Sequence, residues 1–293
     1  MQILLPDAQI LELAGADAIA FAQAQFASDL TVLRNGHWQW SAWLSAQGRV
    51  RAFFHLLRLG DERLLLLLRG GAADDLRRAL ARFVFRARVS IDVVQTMRAA
   101  IAPTQASTGG AALAEREIGF AASGCMALLL PGEGGRTLSL LPDPAMPVDA
   151  DASAEARNAA ALADIDAGLP TLTAALDDLL LPDWLGLREL GAVSVGKGCY
   201  PGQEIVARLH FKGGNKRWLH RVTFASPRLP SPSARLRLGA ADDEGIVICA
   251  AWSEDDRGRA LVALREDHAR LAVAGANKEI EILSIERVIG SRL

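Results

Sequence analysis

Residues 49–94, RVRAFFHLLRLGDERLLLLLRGGAADDLRRALARFVFRARVSIDVV, alternate between apolar runs, a polar turn and an amphipathic segment. The runs at 49–59 and 63–68 flank a Gly-Asp-Glu turn and predict a β-hairpin. Residues 74–85 predict a helix, because acids stand at its start and arginines follow, as the helix dipole favours. A strand at 89–94 completes a β-β-α-β order, which is typical of a ferredoxin-like α+β sandwich.

The segments before residue 49 also mix strands with a helix. Residues 3–5 and 10–13 predict strands, and residues 18–30 have the apolar spacing of a helix, with Asp17 as a suitable N-cap. Residues 37–44 are rich in tryptophan and predict a further strand.

The last two thirds of the chain contain loops, one helix and a series of short strands. Residues 99–110 and 132–151 are loop-like in composition and predict connectors, and residues 152–167 predict a helix that a Gly-Leu-Pro stop ends. Five β-like runs follow, spaced as in a small antiparallel barrel or sandwich. They are residues 217–224, 235–238, 245–251, 260–264 and 279–285.

The charge of the chain is concentrated in one segment. The 293 residues suggest about two domains, or three small ones, and the net charge of −2 argues against a surface that binds nucleic acid everywhere. Residues 197–221, however, contain six basic residues and one acid, a local charge of +5, together with the one tyrosine of the chain. A functional site is therefore expected in this segment.

The three cysteines, Cys125, Cys199 and Cys249, form neither a disulfide framework nor a C-x-x-C metal motif. They indicate reduced thiols in a cytosol, and the apolar runs beside Cys125 and Cys249 predict two buried thiols. The five histidines lack metal-ligand spacing, so no metal site is predicted. Neither a signal peptide nor a membrane-spanning helix is predicted, because no apolar run approaches the required length of about 20 residues.

Residues 196–204 hold three glycines, a thiol, a cation, an amide and a carboxylate. Pro201 and Gly202 favour a type II turn, which would present Cys199 at the lip of a tight loop. Nearby cations such as Lys197 would favour its thiolate, the form that reacts. A Gly- and Pro-rich turn can also be a simple connection, and the glycine spacing misses the dinucleotide-binding fingerprint.

Residues 197–208, KGCYPGQEIVAR, followed by KGGNKR at 212–217, closely resemble the signature of the folate-binding YgfZ family, relatives of the glycine-cleavage T protein. Weaker resemblance extends over the rest of the chain, at residues 26–30, 44–49, 165–170 and 190–194. The resemblance implies a three-domain ring around a tetrahydrofolate pocket. Its domains would be a discontinuous folate-binding domain (1–46 plus 115–212), a ferredoxin-like domain (47–114) and a C-terminal antiparallel β-barrel (213–293).

The resemblance also implies a function. Family members are implicated in assembling or maintaining iron–sulfur enzymes, including those that thiolate tRNA, and Cys199 matches the family's cysteine. The implied partners are a tetrahydrofolate or a derivative, iron–sulfur client proteins or assembly factors, and, more weakly, tRNA. No membrane partner is expected.

A folate site needs an apolar or aromatic slot, an acid or amide for the pterin and cations for the glutamate tail. Asp166 stands where T-protein relatives place a folate-pairing carboxylate, although a solvated acid at a helix end would look the same. Ala8 and residues 159–161 stand where aromatic residues are expected, and Trp184 is a candidate replacement or an ordinary packing residue. The further candidates for folate binding flank the cysteine and are Lys197, Tyr200, Gln203, Glu204 and Arg208.

Two other functions stay open at this point. A folate-dependent aminomethyltransferase would need an acid near the folate, and Asp74 and Asp75 are candidates that the helix dipole explains equally well. A tRNA- or protein-binding module would use the basic segment 197–221. Whether the protein is an enzyme is not decided by the sequence.

Overall fold

The computed structural model describes residues 2–103, 116–132, 135–143, 150–237, 244–254, 256–265 and 280–288. Within these ranges the strands form three five-stranded antiparallel sheets, and no helix is long and apolar enough to cross a membrane. The strands are β1 (Ile3–Leu5), β2 (Ile10–Ala14), β3 (His37–Leu44), β4 (Val50–Arg58), β5 (Arg63–Leu68), β6 (Ser90–Val93), β7 (Met97–Pro103), β8 (Gly119–Phe120), β9 (Met126–Leu130), β10 (Arg136–Pro142), β11 (Trp218–Ala225), β12 (Arg235–Arg237), β13 (Glu244–Glu254), β14 (Arg257–Leu264) and β15 (Glu281–Arg287). The helices are α1 (Ala18–Gln25), α2 (Ala73–Ala81), α3 (Ala154–Asp166) and α4 (Gln203–Lys212).

The first sheet has the order β3-β4-β5-β2-β6. The predicted β-β-α-β succession is confirmed as β4, β5, α2 and β6. The sheet also contains β2 and β3, and with α1 and α2 as connections it has the split β-α-β arrangement plus one edge strand. Because β3 pairs with β4 along its whole length, the sheet crosses the predicted domain boundary between residues 46 and 47.

The other predicted domain limits are not marked by the sheets in the same way. The boundary between residues 114 and 115 lies outside the described residues. The boundary between residues 212 and 213 coincides with the end of α4. These limits stay predictions.

The first sheet is buried on both faces. Leu64, Leu66 and Leu68 pack with α1 and α2, whereas Leu65 and Leu67 point into the larger core on the other side. Side chains of a strand alternate between faces, so a strand covered on both sides is apolar at nearly every position. This explains the uninterrupted leucine run of β5.

The second sheet, β1-β7-β10-β9-β8, closes the larger core together with α3. Its strands β7 and β10 lie in segments that the composition predicted to be connectors, so that prediction is wrong there. Leu138 and Leu140 alternate with polar residues in β10 and are buried, but the glycines and prolines on either side hide this short pattern.

The third sheet, β12-β13-β14-β11-β15, is formed by the C-terminal part of the chain. The predicted strands at 217–224, 235–238, 245–251 and 260–264 are confirmed in substance, with limits that differ by a few residues. The fifth is β15, although residue 279 lies outside the described residues. Closure of this sheet into a barrel stays a prediction.

Helix α3 joins the third sheet to the rest of the molecule. The Asn158 side chain makes two hydrogen bonds with the backbone of Trp252 in β13, donating to its carbonyl at 2.8 Å and accepting from its N–H at 2.9 Å. The pairing of β13 with β14 shifts register near Trp252. At this irregular point the Asn158 side chain serves as the hydrogen-bond partner that a strand would otherwise provide.

Replacement of Asn158 by Ala should lower the free energy of unfolding by about 1–3 kcal/mol, because it leaves two backbone groups of Trp252 without partners. Urea denaturation followed by circular dichroism measures this change. Replacement of the exposed neighbour Arg157 by Ala is the control and should change stability little. Equal stability of both variants would contradict a linking role for Asn158.

Candidate functional site

The cysteine loop, residues 194–202, lies between the 3-10 turn Pro182–Leu185 and helix α4. It rests on the residues that follow α1, where the N–H of Ser194 donates to the carbonyl of Ala27 at 2.8 Å. On its other side it meets the turn that joins β3 to β4, residues 45–49. The loop is therefore held between two elements of the first sheet's layer.

Lys197 anchors the loop to the end of α1. Its side chain is buried, and the ammonium donates to the carbonyls of Gln23 at 2.6 Å, Phe26 at 2.7 Å and Ser28 at 2.9 Å. The last carbonyls of a helix lack partners within the helix, and a lysine is a favourable partner for them. Burial lowers the pKa of Lys197 to about 8, and the Asp29 carboxylate opposes this shift. With three donors on three carbonyls, Lys197 has a structural role in the loop, and its contact with a cofactor stays a prediction.

Two further side chains hold the loop together. Tyr200 is buried and its hydroxyl donates to the carbonyl of Ser194 at 2.8 Å, while its ring lies against the Lys197 ammonium. Burial raises the pKa of Tyr200 to about 12. The amide of Gln203 donates to the carbonyl of Lys197 at 3.0 Å. Tyr200 and Gln203, both predicted to bind folate, thus contact the loop itself.

Two glycines touch where the loop meets the turn at 45–49. Gly202 has a φ of +81°, and a Cβ there would lie 2.5 Å from the carbonyl oxygen of Ser45 and 2.7 Å from the Cα of Gly48. Gly48 has a φ of +71°, and its Cβ would lie 2.8 Å from the Cβ of Ile205. Both positions need glycine for backbone conformation and for space. Two of the segments that carry the family resemblance are therefore in direct contact.

Cys199 is the exposed cysteine of the three, all of which the structure describes. A Cβ added at Gly196 or Gly198 would meet no atom of the described residues within 4 Å, so the loop has free space beside Cys199. Cys249 is half-buried by area, and its surroundings raise the pKa of the thiol to about 11. Cys125 is also only half-buried, contrary to the prediction, because it precedes β9 and accepts a hydrogen bond from the Ser123 hydroxyl.

The remaining candidates near the loop do not form a pocket with it. Glu204 and Arg208 are exposed on α4. Trp184 packs against the larger core, with the guanidinium groups of Arg49 and Arg217 5.5 Å and 5.6 Å from the centre of its ring. Both guanidinium groups lie within cation–π distance of the Trp184 ring, and a role of Trp184 in folate binding stays a prediction.

A cavity of about 350 Å³ lies elsewhere, between the first sheet, the second sheet and α3. Ala8, Ala160 and Ala161, which stand where the family resemblance led us to expect aromatic residues, line it. Leu138 and Ile101 add further apolar wall. The polar lining residues are His55, Arg69, Asp164, Thr171 and, at the exposed rim, Asp7 and Arg157.

The polar end of this cavity is an ion network. One oxygen of the Asp164 carboxylate accepts from Arg69 and the other accepts from Arg136, each at 2.7 Å. All three side chains are largely buried, with exposed fractions of 9–12%. Arg69 also donates to the Thr171 hydroxyl at 3.2 Å, but its Nε–H has no hydrogen-bond partner in the described part of the chain. Two guanidinium groups and one carboxylate leave this end of the cavity positive.

His55 is the most unusual residue of the cavity. It is fully buried in β4, its ring centre lies 4.1 Å from that of Trp40, and neither ring nitrogen has a hydrogen-bond partner of acceptable geometry among the described residues. Burial lowers the pKa of His55 well below its usual value, and the Arg69 charge adds to this effect. Burial therefore favours the neutral imidazole, and the backbone of Leu67 lies close enough to the ring to oppose this shift. A buried polar group of this kind costs free energy unless something else satisfies it.

The carboxylate of α3 that faces the cavity is Asp164 and not Asp166. Both oxygens of Asp166 lie 2.7 Å from Arg259 of β14, so its side chain points toward the third sheet, and its role in folate binding stays a prediction. Ala156, Ala160 and Asp164 are four residues apart and share the buried face of the helix. Asp164 could have been identified from the sequence, because it follows Ala160 by four residues and so lies on the same face of the helix.

Asp74 and Asp75, the candidates for an aminomethyltransferase, lie in the first turn of α2. Both are exposed and paired with arginines of the same helix, Asp74 with Arg77 and Arg78, and Asp75 with Arg78. Neither lines the cavity between the sheets. Their positions fit the explanation from the helix dipole.

No family model matches the chain. It is 34% identical over 126 residues to the tRNA-modifying protein YgfZ of Escherichia coli strains SMS-3-5 and O157:H7 EC4115, a match that spans 42% of this chain and 39% of the length of those relatives. It is 29% identical over 287 residues to the tRNA-modifying protein YgfZ of Edwardsiella ictaluri, with 88% of this chain and 86% of that protein covered.

Among solved structures, the glycine cleavage system aminomethyltransferase T from Bartonella henselae is similar, with a TM-score of 0.67 over 90% of this chain and 78% of that one. The sequence identity is 15%, so this likeness concerns the fold. The predicted relation to the aminomethyltransferase fold is confirmed.

Replacement of Gly202 by Ala should destabilise the protein by about 1–3 kcal/mol or more, because it forces a left-handed residue against the backbone of the 45–49 turn. Replacement of Gly198 by Ala is the matched control, since a Cβ there meets nothing within 4 Å. Thermal unfolding of both variants is the measurement. If Gly202→Ala were as stable as Gly198→Ala, the contact between the two glycines would not fix the loop.

Proposed function

We propose that this chain, which belongs to the YgfZ family and has the aminomethyltransferase fold, is a cytosolic tetrahydrofolate-binding protein that supports iron–sulfur enzymes of tRNA modification. The observation that carries the first half of this proposal is the cavity with the unpartnered nitrogens of His55 and the unpartnered Nε–H of Arg69. Buried polar atoms without partners at the wall of a cavity are what a polar ligand would satisfy.

The residues of the cavity fit a pterin. Its pyrimidine edge carries N–H donors and a carbonyl acceptor, and Asp164 offers carboxylate oxygens beside the donors of Arg69. Ala8, Ala160 and Ala161 leave room for a bicyclic ring. Arg157, exposed at the rim and without an ion pair in the described ranges, suits a carboxylate of the glutamate tail.

A bound tetrahydrofolate supplies nitrogen atoms that carry one-carbon units. The chain's own contribution would be to bind the pterin, to orient it through Asp164 and Arg69 and to exclude water with the apolar wall. Aminomethyl transfer is less well supported, because neither Asp74 nor Asp75 lines the cavity and Asp164 already holds two arginines. An accessory role is therefore preferred over turnover.

The second half of the proposal rests on Cys199. Its thiol is exposed on a loop that Lys197, Tyr200 and Gln203 hold in place, which suits a group that acts on another macromolecule. An iron–sulfur client protein or assembly factor could approach it without any rearrangement of the loop. The relatives are named tRNA-modifying proteins, which supports tRNA modification as the process that this protein serves.

Replacement of His55 by Phe should weaken tetrahydrofolate binding roughly tenfold while leaving the melting temperature unchanged or higher. The reason is that Phe keeps a ring against Trp40 but removes two buried nitrogens that have no partner in the protein. Isothermal titration calorimetry with tetrahydrofolate measures the affinity. Asp166→Asn, on the opposite face of α3, is the control and should bind as the wild type does. Undetectable binding to the wild-type protein would refute the folate half of the proposal.

Replacement of Cys199 by Ala should leave folding and tetrahydrofolate binding intact and abolish rescue in a strain that lacks its own homologue. The readout is the amount of thiolated tRNA, measured by mass spectrometry of digested tRNA. Cys125→Ala, at a half-buried thiol outside the loop, is the matched control and should rescue fully. Full rescue by Cys199→Ala would show that the thiol is not the working group.

A further inference from the structure

The outer face of α4 carries an aromatic residue among cations. Arg208, Phe211 and Lys212 follow one another at helical spacing and are exposed, whereas Val206, on the opposite side, is the buried residue of the helix. Lys216 follows shortly after the helix and is also exposed. We call Arg208, Phe211, Lys212 and Lys216 the α4 surface.

The cations of the α4 surface are available for a ligand. Within the described ranges, neither Arg208 nor Lys212 nor Lys216 has an acid or another hydrogen-bonding group as a partner. The one acid on the same face is Glu204, one turn before Arg208. The neighbouring Arg188, by contrast, is already paired with Asp183 at 3.2 Å.

Phe211 presents its ring to solvent. Its exposed fraction is 74%, and the His210 ring meets it edge to face, with 4.7 Å between ring centres. An exposed aromatic face surrounded by unpaired cations has the two features that bind single-stranded nucleic acid: a platform for a base and charges for the adjoining phosphates. A surface for an acidic protein would need the cations but not the aromatic ring.

We propose that the α4 surface binds a single-stranded segment of RNA, with Phe211 stacked on a base and with Arg208, Lys212 and Lys216 on phosphates. Gly202 is the N-cap of α4, and Cys199 precedes it by three residues. The ten residues of the helix span about 15 Å, so RNA held at Phe211 lies within reach of the cysteine loop. The surface thus brings the RNA and the exposed thiol to the same side of the molecule, and it does so independently of folate binding.

A second exposed phenylalanine offers a matched comparison. Phe85 is 86% exposed and lies between Arg82 and Arg86, after the end of α2. Its chemistry is similar, but it lies near Asp74 and Asp75 in the chain and outside the segment that contains Cys199. The proposal requires that RNA binding depends on Phe211 and not on Phe85.

The test is fluorescence anisotropy of the full chain with a labelled hairpin RNA that has an unpaired loop, and with a fully paired RNA duplex. Phe211→Ala should weaken binding of the hairpin roughly tenfold and leave binding of the duplex unchanged, because only unpaired bases can stack. Phe85→Ala should leave both unchanged. Combined replacement of Arg208, Lys212 and Lys216 by Gln should reduce the slope of log affinity against log salt by about 2, since each single-strand phosphate contact contributes about 0.7.

Three results would overturn the proposal: equal binding of the hairpin by Phe211→Ala and wild type, a loss with Phe85→Ala instead, or competition by polyglutamate as strong as that by the hairpin. The last result would indicate an acidic protein as the partner. Each variant is first checked for an unchanged melting temperature, and Phe211→Ala and Phe85→Ala are also checked for unchanged tetrahydrofolate binding. This check separates failure of the RNA surface from failure of the folate proposal.

Discussion

The buried carboxylate of Asp164 is the interaction on which the centre of the molecule depends. It lies on α3 and accepts from Arg69, directly after β5 of the first sheet, and from Arg136, at the start of β10 of the second sheet. A buried ion pair adds little net stability, because desolvation offsets the attraction, but loss of one partner leaves a charge that nothing compensates. The network therefore fixes how three elements meet, and the cavity exists because they meet in this way.

The cavity and the cysteine loop are connected by β4. The turn before this strand touches Gly202, and His55 lies five residues after Val50 at the strand's beginning. At about 3.4 Å per residue, the two sites are separated along the strand by about 17 Å. Because β4 is buried and pairs with β3 on one edge and β5 on the other, it is a rigid connection between the two sites. A folate and a macromolecular partner could thus occupy the molecule together.

Much of the fold could be predicted from the sequence where the pattern is local. The succession of β4, β5, α2 and β6, most C-terminal strands and the exposed cysteine follow from periodicity and turn residues. Contacts between distant segments are not visible in such local patterns. Strand β10, which lies between glycines and prolines, was therefore missed, and the pairing of β3 with β4 was not foreseen. In the site, Lys197 and Trp184 were chosen without knowledge of their contacts. Lys197 binds carbonyls at the end of α1, and Trp184 lies beside Arg49 and Arg217. These partners come from distant segments of the chain.

The contact between Gly48 and Gly202 has a consequence for the substitutions that this fold tolerates. A Cβ at Gly202 would meet the backbone of Ser45 and Gly48, and a Cβ at Gly48 would meet the Ile205 side chain, so neither position has room for a side chain. A mutation at one cannot be compensated by a mutation at its neighbour, and the two positions can change only if the segments separate. The short turn SAQG at residues 45–48 is therefore as necessary for seating the cysteine loop as Gly202 of the loop itself.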